Sequence, residues 1–384
     1  MQELKQSKIT IISVITVIMA LFFIFKAPFC IDKSQDIVIK KLSGLSRFVE
    51  KEGTIRLEAG KRLSEISANP TKFDVPTELA AIGNKLKNAA EKELKNPKLK
   101  GAGEKLSKAA SFVEAQSKAV SDSVRVNFKA LSEKANGLIA AGNKMVKKSA
   151  RLVGMVALRM YISSFWRGVL VFGGLFLLLT VYALRRKESW AYPSIVTIFA
   201  LAPIGAFYIS LAGAVFFGVA SGFMVFGVGL LAFLIVLTMG LEGKKEKIVY
   251  LSVMILLGMI GVDAFSFAEH GIRGILTMPY DATAKDATQA ILRFTGPIAF
   301  LTVITVIISI YKLASKNPSG WWFAVMSAMG IMFVGFPADW LRHKDSVFIM
   351  GFSTSTYLLG GIIGLILLIL LLLPYFRKEL LKEN

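Results

Sequence analysis

Two hydrophobic patterns alternate along the chain. Residues 9–25 are almost entirely apolar, and from residue 165 onward similar runs recur with only short polar breaks. Between them, residues 31–160 carry single apolar positions spaced among Lys, Ala, Ser and Glu. About 20 apolar residues at ~1.5 Å rise cross the ~30 Å of bilayer hydrocarbon, so the continuous runs predict transmembrane helices. The spaced pattern predicts amphipathic helices that bury one face only. The expected fold is therefore all-α: a polytopic helical membrane protein with a separate helical domain.

The apolar runs divide into about eight spans: 9–25, 165–184, two within 191–240 with a turn near 213–222, 248–267, 294–311, 320–337 and 347–376. Every second boundary carries basic residues. Lys5 and Lys8 precede the first run, and Arg185-Arg186-Lys187, Lys244, Lys245, Lys247, Lys312, Lys316, Arg377 and Lys378 mark later ones. Cytoplasmic loops are enriched in Lys and Arg, which predicts both termini inside and residues 31–162 outside the cytoplasm. The opposite loops, 268–293 and 338–346, mix signs through Glu269, Asp281, Asp286, Asp339 and Asp345. Trp190, Tyr250, Tyr311, Trp321, Trp322 and Tyr375 fall at the inner interface on this scheme, and Trp166 and Trp340 at the outer one. The first run is longer than the ~7–15 apolar residues of a signal peptide and lacks a small-x-small cleavage site. It reads as an uncleaved anchor. The expected division is an anchor (or signal peptide) over 1–30, an extracytoplasmic basic domain over 31–162 and a seven-span domain over 163–384.

Within the basic domain, prolines punctuate three predicted helices. The first covers 35–66, before Asn69-Pro70, and the second covers 76–94, with Pro76 at its start. The third starts near Gly103 and runs on towards the next span, with Gly137, Gly142 and Gly154 as the places where it would break. Val124, Leu131, Leu138, Met145 and Leu152 recur every seven residues in it, the spacing of a coiled-coil seam. A Gly-x-basic-Leu/Met motif also recurs, beginning at Gly83, Gly103 and Gly142, with a fourth copy at Gly60. It reads either as a duplicated amphipathic unit or as a chance product of an Ala/Gly/Lys/Leu-rich composition.

Composition changes this picture little and charge refines it. Hydrophobic residues make up 54% of 384 and mean hydropathy is +0.59, which excludes an ordinary soluble protein. The net charge of +20 suggests nucleic acid until it is mapped. It lies beside spans, where it sets topology, and in the domain expected outside the cytoplasm, where nucleic acid is not a partner. Anionic lipid or an acidic envelope polymer fits those lysines better. Cys30 is the single cysteine, so no intrachain disulfide forms. It follows Ala27-Pro28-Phe29, lacks the context of a lipidated cysteine and reads as an unmodified thiol. Asn69-Pro70-Thr71 and Asn317-Pro318-Ser319 are blocked as glycosylation sites by proline, which points to a prokaryotic cytoplasmic membrane.

The spans are poor in ionisable groups, which argues against an ion-coupled carrier. The only histidines, His270 and His343, fall at outer span ends near Asp263, Glu269 and Asp339. Imidazole with carboxylates at one interface is a candidate acid–base or metal cluster, although its spacing matches no familiar motif. Gly218 and Gly222, and Gly360 and Gly364, have the four-residue spacing that lets helices approach closely in lipid. No cofactor is expected. These features lead to a non-enzymatic membrane subunit or anchor presenting a helical stalk to an envelope or membrane assembly. It would meet protein partners or a second copy of itself. The alternatives are an oligomeric channel or uncoupled transporter, and a membrane enzyme using the outer-face cluster.

Overall fold

The computed structural model describes residues 6–95, 100–121, 127–217, 222–277, 287–344 and 356–381. Every regular element among them is helical. Helix α1 (Gln6–Leu21) continues through a π-helical turn (Phe22–Lys26) into α2 (Ala27–Ala68). A short 3₁₀ turn (Pro70–Lys72) leads to α3 (Val75–Leu94), α4 (Lys100–Ser121) and the long α5 (Phe128–Arg185). The remaining helices are α6 (Ala191–Phe217), α7 (Phe223–Met239), α8 (Lys244–Thr277), α9 (Ala287–Ala314), α10 (Ser319–Lys344), α11 (Thr356–Leu372) and α12 (Pro374–Leu381).

Among the described residues six helices are long and apolar enough to cross a membrane, or seven if α11 and α12 are taken as one span bent by 74°. Pro374 lies at that bend, where its missing N–H and its ring interrupt the helical ladder. The eight expected runs differ from this in two places. Residues 191–240 form α6 and a shorter apolar α7 of 17 residues, below the ~20 that a straight crossing needs. The last run is helical from Thr356, and residues 345–355 lie outside the described set.

The chain packs as two units. One comprises Met1–Ile39 and Ala157–Asn384. Its core is aromatic and aliphatic, with Phe23, Phe199, Tyr250 and Phe267 fully buried. The first helix belongs to this core. Phe23 meets Phe199 edge-on at 6.2 Å, and Gly174 lies against the Ala20 carbonyl and Ile24. The same helices turn Phe172, Leu179, Phe333 and Ile369 outward, each more than half exposed. A surface so apolar is costly in water and matches lipid. Several polar side chains close on carbonyls inside the unit, as hydrocarbon demands. Trp321 Nε1 donates to Leu371 at 3.0 Å, Ser309 Oγ to Gly320 at 2.9 Å and Tyr192 Oη to Val236 at 3.2 Å.

The second unit, Lys40–Val156, is a helical bundle around Leu63, Leu79, Leu86, Leu106, Val113 and Leu131. The predicted second helix matches α3, but the predicted third helix is two. Residues 122–126 lie outside the described set, and α5 starts afresh after Asn127, whose Oδ1 accepts the Ala130 N–H at 3.0 Å. That is an N-cap, which satisfies a helix-start donor. Helix α5 runs unbroken through Gly137, Gly142 and Gly154. Gly142 serves contact instead: a Cβ there would stand 2.8 Å from the Gly53 carbonyl of α2.

The Gly-x-basic-Leu/Met repeat has the same explanation. Gly60 meets the Ala135 carbonyl and Ile139, Gly83 the backbone of Glu114, and Gly103 the Leu94 backbone. Three residues after each, Leu63, Leu86 and Leu106 are buried; of the basic residues, Lys85 and Lys105 face out, while Arg62 is partly exposed and pairs with Glu78 at 2.6 Å. The motif marks where helices approach. Along the seven-residue stripe Leu131, Leu138 and Leu152 are buried, Met145 is partly buried beside Val49 and Leu152, and Val124 lies outside the described residues.

Candidate functional site

Helix α8 carries three of the candidate outer-face residues, and its periodicity separates them. Asp263, Phe267 and His270 share one stripe, spaced by four and three, while Phe265 and Glu269 share another. Helix α11 covers the first stripe. Tyr357 stacks on Phe267 at 4.4 Å and its ring lies 5.9 Å from that of His270. Gly360 leaves room beside it: a Cβ there would meet Phe267 at 2.9 Å and Asp263 Oδ2 at 3.4 Å.

The second stripe faces α5 and α6. Glu269, 5% exposed, pairs with Arg159 at 3.9 Å. The Arg159 guanidinium stands over the Tyr208 ring at 5.4 Å, within cation–π range. One turn deeper, Phe265 contacts both Tyr208 and Trp166, each at 5.1 Å between ring centroids. The Trp166 indole lies directly on Gly205, where any side chain would collide with it. Arg159 Nη1, Trp166 Nε1 and Tyr208 Oη are buried without a hydrogen-bond partner among the described residues. Buried donors are nearly always satisfied, so this cluster can take up water or another acceptor. Glu269 and His270, adjacent in sequence, thus serve different helix contacts. Asp339 is partly buried on α10, and the side chain of His343 lies outside the described residues. Among the described residues no group of three His, Cys, Asp or Glu can hold a metal ion.

The glycines predicted for helix packing sit at close contacts where they are described. Gly364 lies against the Ala328 carbonyl at 2.8 Å, measured from a built Cβ, and Gly222 against Ser210; Gly218 lies outside the described residues.

The helical unit holds a charge cluster that the sequence reading did not single out. Arg56 donates through both Nη atoms to the Glu93 carboxylate, a fork geometry that only arginine offers. Glu52 lies one turn before Arg56, and all three are at most 3% exposed. Glu52 Oε2 has no hydrogen-bond partner among the described residues. Burial first, and the Glu93 charge second, push the Glu52 carboxyl above its ordinary value against the pull of Arg56, Lys92 and Lys51. In the sequence these residues look like parts of a lysine- and glutamate-rich solvated face. The signal was weak but present: Glu52, Arg56 and Ala59 continue the apolar stripe of α2 towards Leu63.

Arg159, Tyr208 and Trp166 were likewise not joined to the candidate cluster from sequence. Arg159 and Trp166 are seven residues apart and share a face of α5, yet nothing local says which helix that face meets. No family model, curated protein or solved structure matches the chain.

Proposed function

We propose that the chain is a non-enzymatic membrane subunit or anchor that offers a helical, coiled-coil-like domain to protein partners or to a second copy of itself. The observation that carries this reading is the pairing of opposite charges between helices. In the membrane unit, Arg159 faces Glu269 and Lys316 pairs with Glu246 at 2.7 Å; in the helical unit, Arg56 is forked onto Glu93. Charges used this way hold helices together rather than meet a substrate. The seven-residue stripe of Leu131, Leu138, Met145 and Leu152 against α2 supports the coiled-coil part of the reading.

The finer topology belongs to the same proposal: about eight spans, both termini cytoplasmic, and the basic domain on the far side of a prokaryotic cytoplasmic membrane. The packing of α1 at Gly174 and Phe199 supports retention of the first span as an anchor. Crosslinking in native membranes from single cysteines on the exposed face of the helical unit tests the function. A discrete crosslinked product supports it, and a chain that stays monomeric from every position refutes it.

A further inference from the structure

The membrane unit has an elongated groove of about 260 Å³ between the π turn, α5, α6 and α9. Its walls include Phe23, Leu170, Phe176, Thr197, Ala202 and Tyr311. The two hydroxyls on the α6 side turn back into their own helix: Ser194 Oγ donates to Trp190 and Thr197 Oγ1 to Pro193, both at 2.8 Å. Apart from the Tyr311 hydroxyl, the rest of the lining is apolar and suits an apolar occupant. From Ser194 to Ala202 it follows α6 for ~12 Å at the usual helical rise. An apolar trough of that length fits a hydrocarbon chain.

Basic residues lie close in sequence to the lining residues of α6 and α9. Helix α5 finishes at Arg185, followed by Arg186 and Lys187, all exposed, a few residues before Ser194 enters the wall. On α9, Lys312 directly follows the lining residue Tyr311. Glu188 is the carboxylate in the same turn, so the cations outnumber it. The Arg186 guanidinium stands over the Tyr182 ring at 4.3 Å, and Trp190 lies 6.0 Å from Phe176, a lining residue. An apolar trough flanked in sequence by cations has the polarity of an anionic lipid in one leaflet.

We propose that this groove seats an acyl chain of an anionic glycerophospholipid, whose phosphate is met by Arg185, Arg186 and Lys312. The test is native mass spectrometry of the full chain in mild detergent, titrated with phosphatidylglycerol and with phosphatidylcholine. The wild type is expected to retain a first phosphatidylglycerol at about tenfold lower concentration than phosphatidylcholine. Arg185→Gln with Arg186→Gln, on the exposed face, should bring the two lipids level. Ile198 also lines the trough on α6, and Ile198→Trp, which fills it, should weaken the first-bound lipid of either kind by about tenfold. Equal retention of both lipids by the wild type would overturn the proposal. So would a preference that survives the arginine changes, or first-lipid binding unaltered by Ile198→Trp.

Discussion

Gly53 of α2 and Gly142 of α5 meet backbone to backbone. A Cβ on Gly142 would stand 2.8 Å from the Gly53 carbonyl oxygen, and one on Gly53 would stand 3.2 Å from that of Gly142. Contact this close leaves no room for a methyl group without parting the helices. Gly142→Ala should therefore destabilise the helical unit by ~1–3 kcal/mol through overpacking. Gly137→Ala, at an exposed position with open space around it, should stabilise by ~0.5–1 kcal/mol, because glycine costs that much in a helix interior. Hydrogen exchange across α5 in the full chain measures both changes. Equal effects at the two positions would show that the crossing is not tight.

Breaking the Arg56–Glu93 fork should cost far more than removing the charge of Glu52. Glu93→Gln leaves a buried guanidinium without its counter-charge, a loss of ~3–5 kcal/mol. Glu52 binds its proton more tightly in the folded state, so stability falls as pH rises from the ordinary glutamate value through the raised one. Glu52→Gln should abolish that decline and gain stability at neutral pH relative to the wild type. Thermal unfolding from pH 4 to pH 8, compared between the two proteins, reads the difference. A wild-type advantage that grows with pH would contradict the assignment.

In the membrane unit, Arg159 and Glu269 should behave as a coupled pair. Glu269→Gln alone is expected to lower the apparent Tm, at a cost of about 3 kcal/mol for a buried charge left unpaired. Adding Arg159→Gln should recover part of the loss, since the double change removes both charges. Additive losses would mean that the 3.9 Å approach carries no coupling.

Cys30, read from sequence as an unmodified thiol, is 7% exposed. A soluble maleimide should label it slowly in native membranes and rapidly after denaturation in sodium dodecyl sulfate. An N-terminal epitope should remain on the labelled chain, since α1 is packed into the core at Gly174. Loss of the epitope would identify the first run as a cleaved signal.

The membrane class was legible because an uninterrupted apolar run has one common physical explanation. The second helix of the basic domain was legible for a similar reason, as Pro76 marks its start locally. What stayed hidden depended on partners distant in sequence. The glycines at 137, 142 and 154 look alike along the chain, and only the position of Gly53 makes Gly142 a contact while Gly137 stays in the open. Glu269 and His270 looked like one cluster because they are neighbours, yet ~100° of helical turn sends them to different helices. Arg159 reads as one more basic residue until Tyr208 and Glu269 are placed beside it.

The proposed role makes the helical unit a contact surface for protein. Leu131 and Leu138 are buried and useless as reporters, whereas Lys85, Lys105 and Lys144 are exposed, and buried Cys30 gives little background. Single cysteines at those three lysines, crosslinked in native membranes and identified by mass spectrometry, give the most direct measurement. The account predicts a discrete adduct, to one partner or to a second copy, from at least one position. A chain that remains uncrosslinked from all three, and runs alone in mild detergent, would contradict it.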